Sequence, residues 1–129
     1  MDKVKYWLNL ADEDMSVARL LMDGKKYLQA GFFCHLTAEK AIKAVISSKS
    51  DEIPPKIHDL KVLARQGGIS GDLTEGQFSL LERLNPLQIE ARYPEYKSEI
   101  VTTLSAGICQ EIYDETEAFL CWIKQRLDK

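Results

Sequence analysis

The chain has 129 residues, of which 45% are hydrophobic and 29% charged, and its formal net charge is −3. This length predicts a single domain, residues 1–129, around one core, and the composition argues against a disordered chain. The net negative charge gives no overall electrostatic reason to bind nucleic acid. No apolar run approaches the roughly 20 residues that span a membrane, and the charged start lacks a signal-peptide segment. We therefore expect a cytoplasmic protein without membrane contact.

Apolar residues recur at three- and four-residue steps along most of the chain, which is the spacing of one helix face. The first such stretch predicts a helix from about residue 2 to residue 22, with Asp2 as its cap and Gly24 after its end. The second stretch predicts a helix from about residue 27 to residue 48. No stretch alternates convincingly as a strand would, so helices are the expected elements.

Two further helices are indicated by residues that commonly begin or end a helix. Pro54 and Pro55 predict the start of a third helix, because proline fits a first turn, where its missing N–H has no partner to lose. The glycines at 67–68 predict its end. Thr74 and Gln77 match a capping box, which predicts the start of a fourth helix.

The last predicted helix spans about residues 105–127, and its apolar stripe is expected to face inward, as is Phe78 of the fourth helix. The residues of that stripe are Ile108, Ile112, Phe119 and Ile123. Four or five helices with short connections predict an all-α fold, an antiparallel up-and-down bundle. The second helix is apolar on more than one side, so we expect it to pack on several helices or on a second copy, as in a homodimer.

The second helix also carries a polar ladder. His35, Glu39 and Lys43 follow one another at four-residue steps, so their side chains share one face of a helix that is otherwise apolar on nearly every side. Buried ionisable groups are costly unless they are paired. The ladder is therefore expected either to hold the core together or to act in function, and the sequence favours the structural role.

Asp14 is an acid on the apolar stripe of the first helix, three residues after Ala11 and four before Ala18. A carboxylate in that position needs a partner. We expect the partner to be a lysine of the second helix, either Lys40 or Lys43.

Three cysteines, Cys34, Cys109 and Cys121, do not predict a disulfide framework, because their number is odd and they fall on predicted helices. Cys34 and Cys121 adjoin large apolar residues and are expected in the core.

Cys34 and His35 point about 100° apart on a helix, which argues against a cysteine nucleophile. No ligand spacing supports a zinc site, and no glycine-rich loop is placed to hold phosphate. We expect neither a metal nor a cofactor.

Two other places have the chemistry of a binding site. His58 is expected to cap a helix or to pair with an acid in preference to binding a ligand, and Asp59 suits the positive end of a helix dipole. Arg92 and Tyr96 lie four residues apart around Pro94. The planar guanidinium of Arg92 suits a phosphate or a carboxylate, and the alternative is an arginine that ties a loop to a helix end.

A set of these residues runs through almost the whole chain in a fixed order: Trp7, Ala11, Asp14, Ala18, Tyr27, Phe33, His35, Ala38, Glu39, Lys40, Lys43, Pro55, His58, Asp59, Leu60, Leu63, Arg92, Tyr93 and Pro94. This pattern resembles the HEPN domain, whose name stands for a domain of higher eukaryotes and prokaryotes proposed to bind nucleotides. The resemblance implies an antiparallel helical bundle, commonly a homodimer. It also implies a frequent partner, a small, separately encoded minimal nucleotidyltransferase, for which the HEPN protein serves as substrate-binding subunit. Related pairs act as toxin and antitoxin.

The resemblance also raises a catalytic possibility, because many HEPN toxins are metal-independent ribonucleases with an arginine followed, after four to six residues, by a histidine. Such chemistry needs the histidine for proton transfer and the arginine for the phosphate. Here Arg92 has no histidine after it, and both histidines of the chain precede it. In some toxins a tyrosine shortly after the histidine is adenylylated, and Tyr96 is the residue comparable to it.

Two classes of function remain open from the sequence. The preferred one is a non-catalytic binding protein that docks a minimal nucleotidyltransferase and holds its substrate or a nucleotide. Its candidate polar surface comprises His35, Glu39, Lys40, Lys43, His58 and Arg92, with Tyr96 as a candidate for modification. The alternative is a ribonuclease toxin with a degenerate active site, in which the fold or a dimer brings His35 or His58 close to Arg92. A helical scaffold without a ligand is the third interpretation.

Overall fold

The structure, a computed structural model, describes residues 2–88 and 104–128. Five complete α-helices lie within these ranges, with one 3-10 turn at Ser70–Asp72 and no strand. The helices are α1 (Lys3–Asp23), α2 (Tyr27–Lys49), α3 (Leu60–Gln66), α4 (Glu75–Leu84) and α5 (Ala106–Leu127). The predicted all-α fold is confirmed. The predicted region around Arg92 and Tyr96 lies outside the described residues.

Helix α2 is the centre of the bundle. It contacts α1, α3, α4 and α5, and its contact with α1 is the most extensive between any two described helices. The short turn at residues 24–26 returns the chain from α1 to α2, so the two long helices form an antiparallel hairpin. Fully buried alanines, Ala11 and Ala18 on α1 and Ala38 and Ala41 on α2, have small side chains that let the two backbones approach closely.

The hydrophobic core lies between α2 and the other helices. Its largest fully buried apolar side chains come from α2, α3, α4 and α5 and from positions 69 and 87 beside them: Ile42, Val45, Leu60, Leu63, Ile69, Leu80, Leu81, Leu84, Leu87, Phe119 and Ile123. Burying a side chain of this size contributes about 1.5–3 kcal/mol relative to leaving it exposed. The predicted packing of α2 on several helices is therefore correct within this chain.

The third helix begins later than the two prolines predicted. Residues 53–59 are not helical, and α3 begins at Leu60. Asp59 is its N-cap, and its side chain accepts hydrogen bonds from the backbone N–H groups of Lys61 and Val62. Proline tolerates a first turn but does not require one, whereas a capping side chain satisfies N–H groups that would otherwise lack partners. The cap therefore sets the helix start.

Two apolar residues that were predicted to face inward are exposed instead. Phe78 is 40% exposed and Ile108 is 41% exposed. The ring of Phe78 lies beneath the Lys61 ammonium, whose nitrogen is 5.4 Å from the ring centroid. On α5 the buried stripe begins one residue later than predicted, at Cys109, and continues through Ile112. The helical spacing was correct, but its first member was misassigned.

The predicted capping box at the start of α4 is present. The Thr74 hydroxyl accepts from the Gln77 backbone N–H at 3.1 Å, and the Gln77 side chain accepts from the Thr74 backbone N–H at 3.0 Å. Each half satisfies one N–H group that the helix itself leaves without a partner.

Thr74→Ala should therefore lower the free energy of unfolding by about 1 kcal/mol, the usual cost of losing an N-cap side chain. Urea denaturation followed by circular dichroism measures the change. Thr74→Ser is the matched control, because it keeps the capping hydroxyl and should stay within about 0.5 kcal/mol of the parent. Equal losses in the two variants would contradict a capping role.

Candidate functional site

Glu39 is a buried acid with three close polar partners, and it is only 4% exposed in the middle of α2. Its Oε2 accepts a hydrogen bond from Lys43 Nζ at 2.9 Å. Its Oε1 lies 3.0 Å from Nδ1 of His58 and 3.7 Å from Nδ1 of His35. One buried carboxylate thus joins the predicted ladder to a residue from the loop before α3. We call Glu39, Lys43, His35 and His58 the Glu39 cluster.

His35 fixes that loop to α2. Its ring is fully buried, and Nε2 lies 3.0 Å from the backbone carbonyl oxygen of His58. A carbonyl oxygen only accepts hydrogen bonds, so Nε2 of His35 carries a proton and donates it. The loop before α3 is therefore held on α2 both through the His58 backbone and through the His58 ring.

A similar argument assigns the ring proton of His58. An ionised carboxylate only accepts hydrogen bonds, so the Nδ1 that faces Glu39 must carry a proton. When His58 is neutral, its Nε2 is then an acceptor, and Nε2 makes no hydrogen bond to the described residues. The side chain of His58 is 43% exposed. His58 is thus the member of the cluster that reaches the surface.

The lysines of α2 have separate roles. Lys43 is buried beside Glu39, and its Nζ lies 5.7 Å from the centroid of the Trp7 ring, a cation–π arrangement. Lys40 does not join the cluster. Its Nζ lies 2.5 Å from Oδ2 of Asp14, which confirms the predicted pairing of Asp14 with one of the two lysines.

A surface groove of about 360 Å³ begins at His58. Its lining residues are His58, Asp59, Asn85, Pro86 and Gln88. Asn85 ties the two sides together, since its Nδ2 donates to Asp59 Oδ1 at 3.1 Å and its Oδ1 accepts from the Leu60 backbone N–H at 2.9 Å. Sequence reasoning missed Asn85, although its position between the last residue of α4 and Pro86 is a usual place for a residue that bonds to backbone.

The carboxyl groups at this site are held in their ionised form. Burial alone would raise the pKa of Glu39, but hydrogen bonds from Lys43 and His58 and the charge of Lys43 outweigh burial and lower it. The small burial of Asp59 is likewise outweighed by the backbone N–H groups of Val62 and Lys61, so its pKa is also lowered. The two acids are therefore anions at neutral pH.

The remaining predicted residues lie elsewhere or outside the described chain. Arg92 and Tyr96 fall outside the described residues. Cys34 is buried, and burial raises its pKa to about 12, which suppresses the thiolate that a nucleophile needs. Cys121, predicted to be in the core, is exposed, because the buried stripe of α5 runs through Phe119, Leu120 and Ile123.

Neither a metal-binding cluster nor a membrane-spanning helix occurs within residues 2–88 and 104–128. No group of three or more histidine, cysteine, aspartate or glutamate side chains there is arranged to hold a metal ion. No helix in those ranges is long and apolar enough to cross a membrane.

Comparison with solved structures places this helical bundle among known folds. The chain superposes on the crystal structure of TT1696 from Thermus thermophilus with a TM-score of 0.83 and 19% identity, covering 97% of this chain and 98% of that one. It superposes on ST0689, an archaeal HEPN homologue, with a TM-score of 0.66 and 24% identity, covering 98% of each chain. At these identities the likeness establishes the fold alone.

The family follows from the sequence profile of the HEPN domain, which matches residues 4–127. The chain belongs to the HEPN domain family, as the resemblance implied. No curated protein sequence matches the chain significantly.

Glu39→Gln tests the cluster as a unit. The substitution leaves the buried Lys43 ammonium without its carboxylate, and breaking a buried pair in this way costs about 3–5 kcal/mol. We expect a loss of that size in the free energy of unfolding, measured by urea denaturation. The double variant Glu39→Gln/Lys43→Met removes the uncompensated charge and should lose less than the sum of the two single variants. Simple additivity of the single losses would contradict direct coupling.

The lowered pKa values of Glu39 and Asp59 predict a stability loss in acid. A carboxyl group whose pKa is lower in the folded state stabilises fully above its ordinary value, which is 4.5 for Glu39 and 3.8 for Asp59. That contribution disappears as the pH falls from there through the folded-state pKa. The free energy of unfolding, measured from about pH 7 to about pH 3, should decrease once the pH is lower than 4.5. The fall should be shallower in Glu39→Gln/Asp59→Asn, and equal slopes would exclude these two acids as its source.

Proposed function

We propose that this HEPN protein is a non-catalytic binding protein, the partner- and substrate-binding subunit of a small nucleotidyltransferase, which acts as a homodimer and can hold a nucleotide. The observation that carries the proposal is the placement of the two histidines of the chain. Both are bound within the Glu39 cluster, and neither follows Arg92 in the spacing that the ribonuclease motif requires. The family membership supports the type of partner, and the groove at His58 supports a ligand site.

Burial distinguishes the residues of the Glu39 cluster that only hold their neighbours in place from the one that a ligand can contact. His35 is fully buried, Glu39 is 4% exposed and Lys43 is 6% exposed. Side chains at this depth position their neighbours but do not meet a large ligand. His58 is the member that a ligand reaches. Two hydrogen bonds to α2 and two to Asn85, after the last residue of α4, hold the wall of its groove. A pre-formed groove of this size, with a few polar groups fixed in its wall, suits binding.

One observation favours the ribonuclease toxin as the second candidate. The imidazole of His58 is oriented by a buried carboxylate through Nδ1 and keeps Nε2 available, which is the arrangement that general acid–base catalysis uses. Losing a proton-transfer residue typically costs a factor of about 100 to 10,000 in rate. If His58 served this purpose with Arg92, metal-free RNA cleavage would depend on both residues.

The test is co-expression of the tagged chain with the product of its neighbouring gene, which the proposal expects to be a small nucleotidyltransferase, followed by size-exclusion chromatography with light scattering. We expect a stable complex that contains two copies of the HEPN chain, and no RNA cleavage by the HEPN chain alone in the presence of a chelator. The intact mass of the chain from the complex reports any adenylylation, and Tyr96→Phe identifies the acceptor.

Two results would count against the proposal. Failure of the two proteins to associate would remove the partner role. RNA cleavage by the purified chain in chelator, lost in both His58→Ala and Arg92→Ala, would replace the binding subunit with the ribonuclease. Asp23→Asn, an exposed change at the end of α1 away from the groove, is the control for nonspecific effects of substitution.

A further inference from the structure

The groove at His58 offers hydrogen-bond acceptors that no described residue uses. The first is Nε2 of His58, since Nδ1 is taken by Glu39 at 3.0 Å. The second is Oδ2 of Asp59, because the hydrogen bonds of that carboxylate to described residues all go to Oδ1: those of the Lys61 and Val62 backbones and that of Asn85. Each of these two adjacent residues is thus held in place through one side-chain atom and has a second atom that can accept a hydrogen bond.

The charge of the groove limits what it accepts. Glu39 and Lys43 offset one another below His58, and the Asp59 carboxylate adds a negative charge at the wall. Of the nearby cations along the chain, Lys61 acts on the Asp59 carboxylate through its charge but pairs with Glu82 at 3.3 Å. Neither Lys61 nor Lys56 lines the groove. A phosphate would meet the Asp59 carboxylate with no opposing cation among the described lining residues. A neutral group that donates hydrogen bonds meets acceptors instead.

We infer that this groove binds the cis-diol of a ribose, with His58 Nε2 and Asp59 Oδ2 accepting hydrogen bonds from its two neighbouring hydroxyl groups. A carboxylate that accepts from a ribose hydroxyl is a recurrent solution in nucleotide sites. The amides of Asn85 and Gln88 line the rest of the groove. The inference rests on the proposed function in taking the ligand to be a nucleotide, and it assigns the sugar, not the phosphate, to this groove.

Fixed acceptors make the expected discrimination strong. Glu39 holds the His58 ring, and the cap to α3 together with Asn85 holds Asp59. A ligand that lacks the hydroxyls leaves both acceptors without partners after displacing their water. Sites built to bond a hydroxyl reject analogues without it more strongly than apolar pockets reject an extra group.

The experiment measures the binding of adenosine, 2′,3′-dideoxyadenosine, methyl β-ribofuranoside and inorganic phosphate to the full chain, by calorimetry and by the ring ¹⁵N shifts of His58. It is done at about pH 8, where an ordinary imidazole is neutral. We expect adenosine to bind and to shift the Nε2 resonance of His58, and the dideoxy analogue to bind at least about tenfold more weakly. Inorganic phosphate should leave the His58 resonances in place. If methyl β-ribofuranoside shifts the His58 resonances as adenosine does, the site recognises the diol of a free sugar as well as that of a nucleoside.

Asp59→Asn is the decisive variant. It keeps Oδ1 for the cap and for Asn85, so the fold is retained, but it replaces the acceptor Oδ2 with an amide donor. Adenosine should bind about tenfold more weakly. Asp23→Asn makes the same chemical change at an exposed position outside the groove and should leave the affinity unchanged. Circular dichroism confirms that both variants are folded.

The inference is overturned if adenosine and its dideoxy analogue bind equally, if Asp59→Asn binds adenosine like the parent, or if adenosine fails to bind at millimolar concentration. These outcomes are distinguishable from failure of the proposed function. A chain that forms the nucleotidyltransferase complex but ignores adenosine retains the partner role and loses only the ribose site.

Discussion

The structure depends on a single electrostatic constraint, the ionised carboxylate of Glu39 in the interior of the central helix. Taking such a group out of water costs several kcal/mol unless other groups compensate it. Lys43 compensates it from the same helix, one turn on, and His58 does so from the loop before α3. Because α2 contacts every other described helix, the place where this loop crosses α2 also sets where α3 and α4 pack.

The same constraint turns a connecting loop into a defined surface. A loop without such anchors would be free to move, but residues 53–59 end in two fixed points, the His58 ring on Glu39 and the Asp59 cap on α3. Asn85 extends the arrangement to the end of α4. The groove between them is therefore formed before any ligand arrives, which lowers the conformational entropy that binding would otherwise lose.

The buried ladder and the exposed His58 have different roles in the proposed site. His35 and Lys43 are buried, so their chemistry reaches the surface only through what they hold in place. Lys40 forms a separate ion pair with Asp14, which connects α1 to α2. The polar residues that the family pattern groups together thus serve two structural tasks, and one of them, His58, reaches the surface. In the proposed binding subunit the partner and the nucleotide then use surfaces that the core itself makes rigid.

The sequence by itself determined the helices, the family and the residue types of the site, because these depend on local spacing. Three- and four-residue periodicity located α1, α2 and α5, and the four-residue steps of the ladder placed His35, Glu39 and Lys43 on one face. Only the tertiary structure decided which of these side chains is buried and that His58, 19 residues further along the chain, meets Glu39. Contacts between distant segments depend on how helices pack, and periodicity carries no information about the path of a loop. For the same reason the prolines misplaced the start of α3, whereas the Asp59 cap and its bond to Asn85, at the far end of α4, determined it.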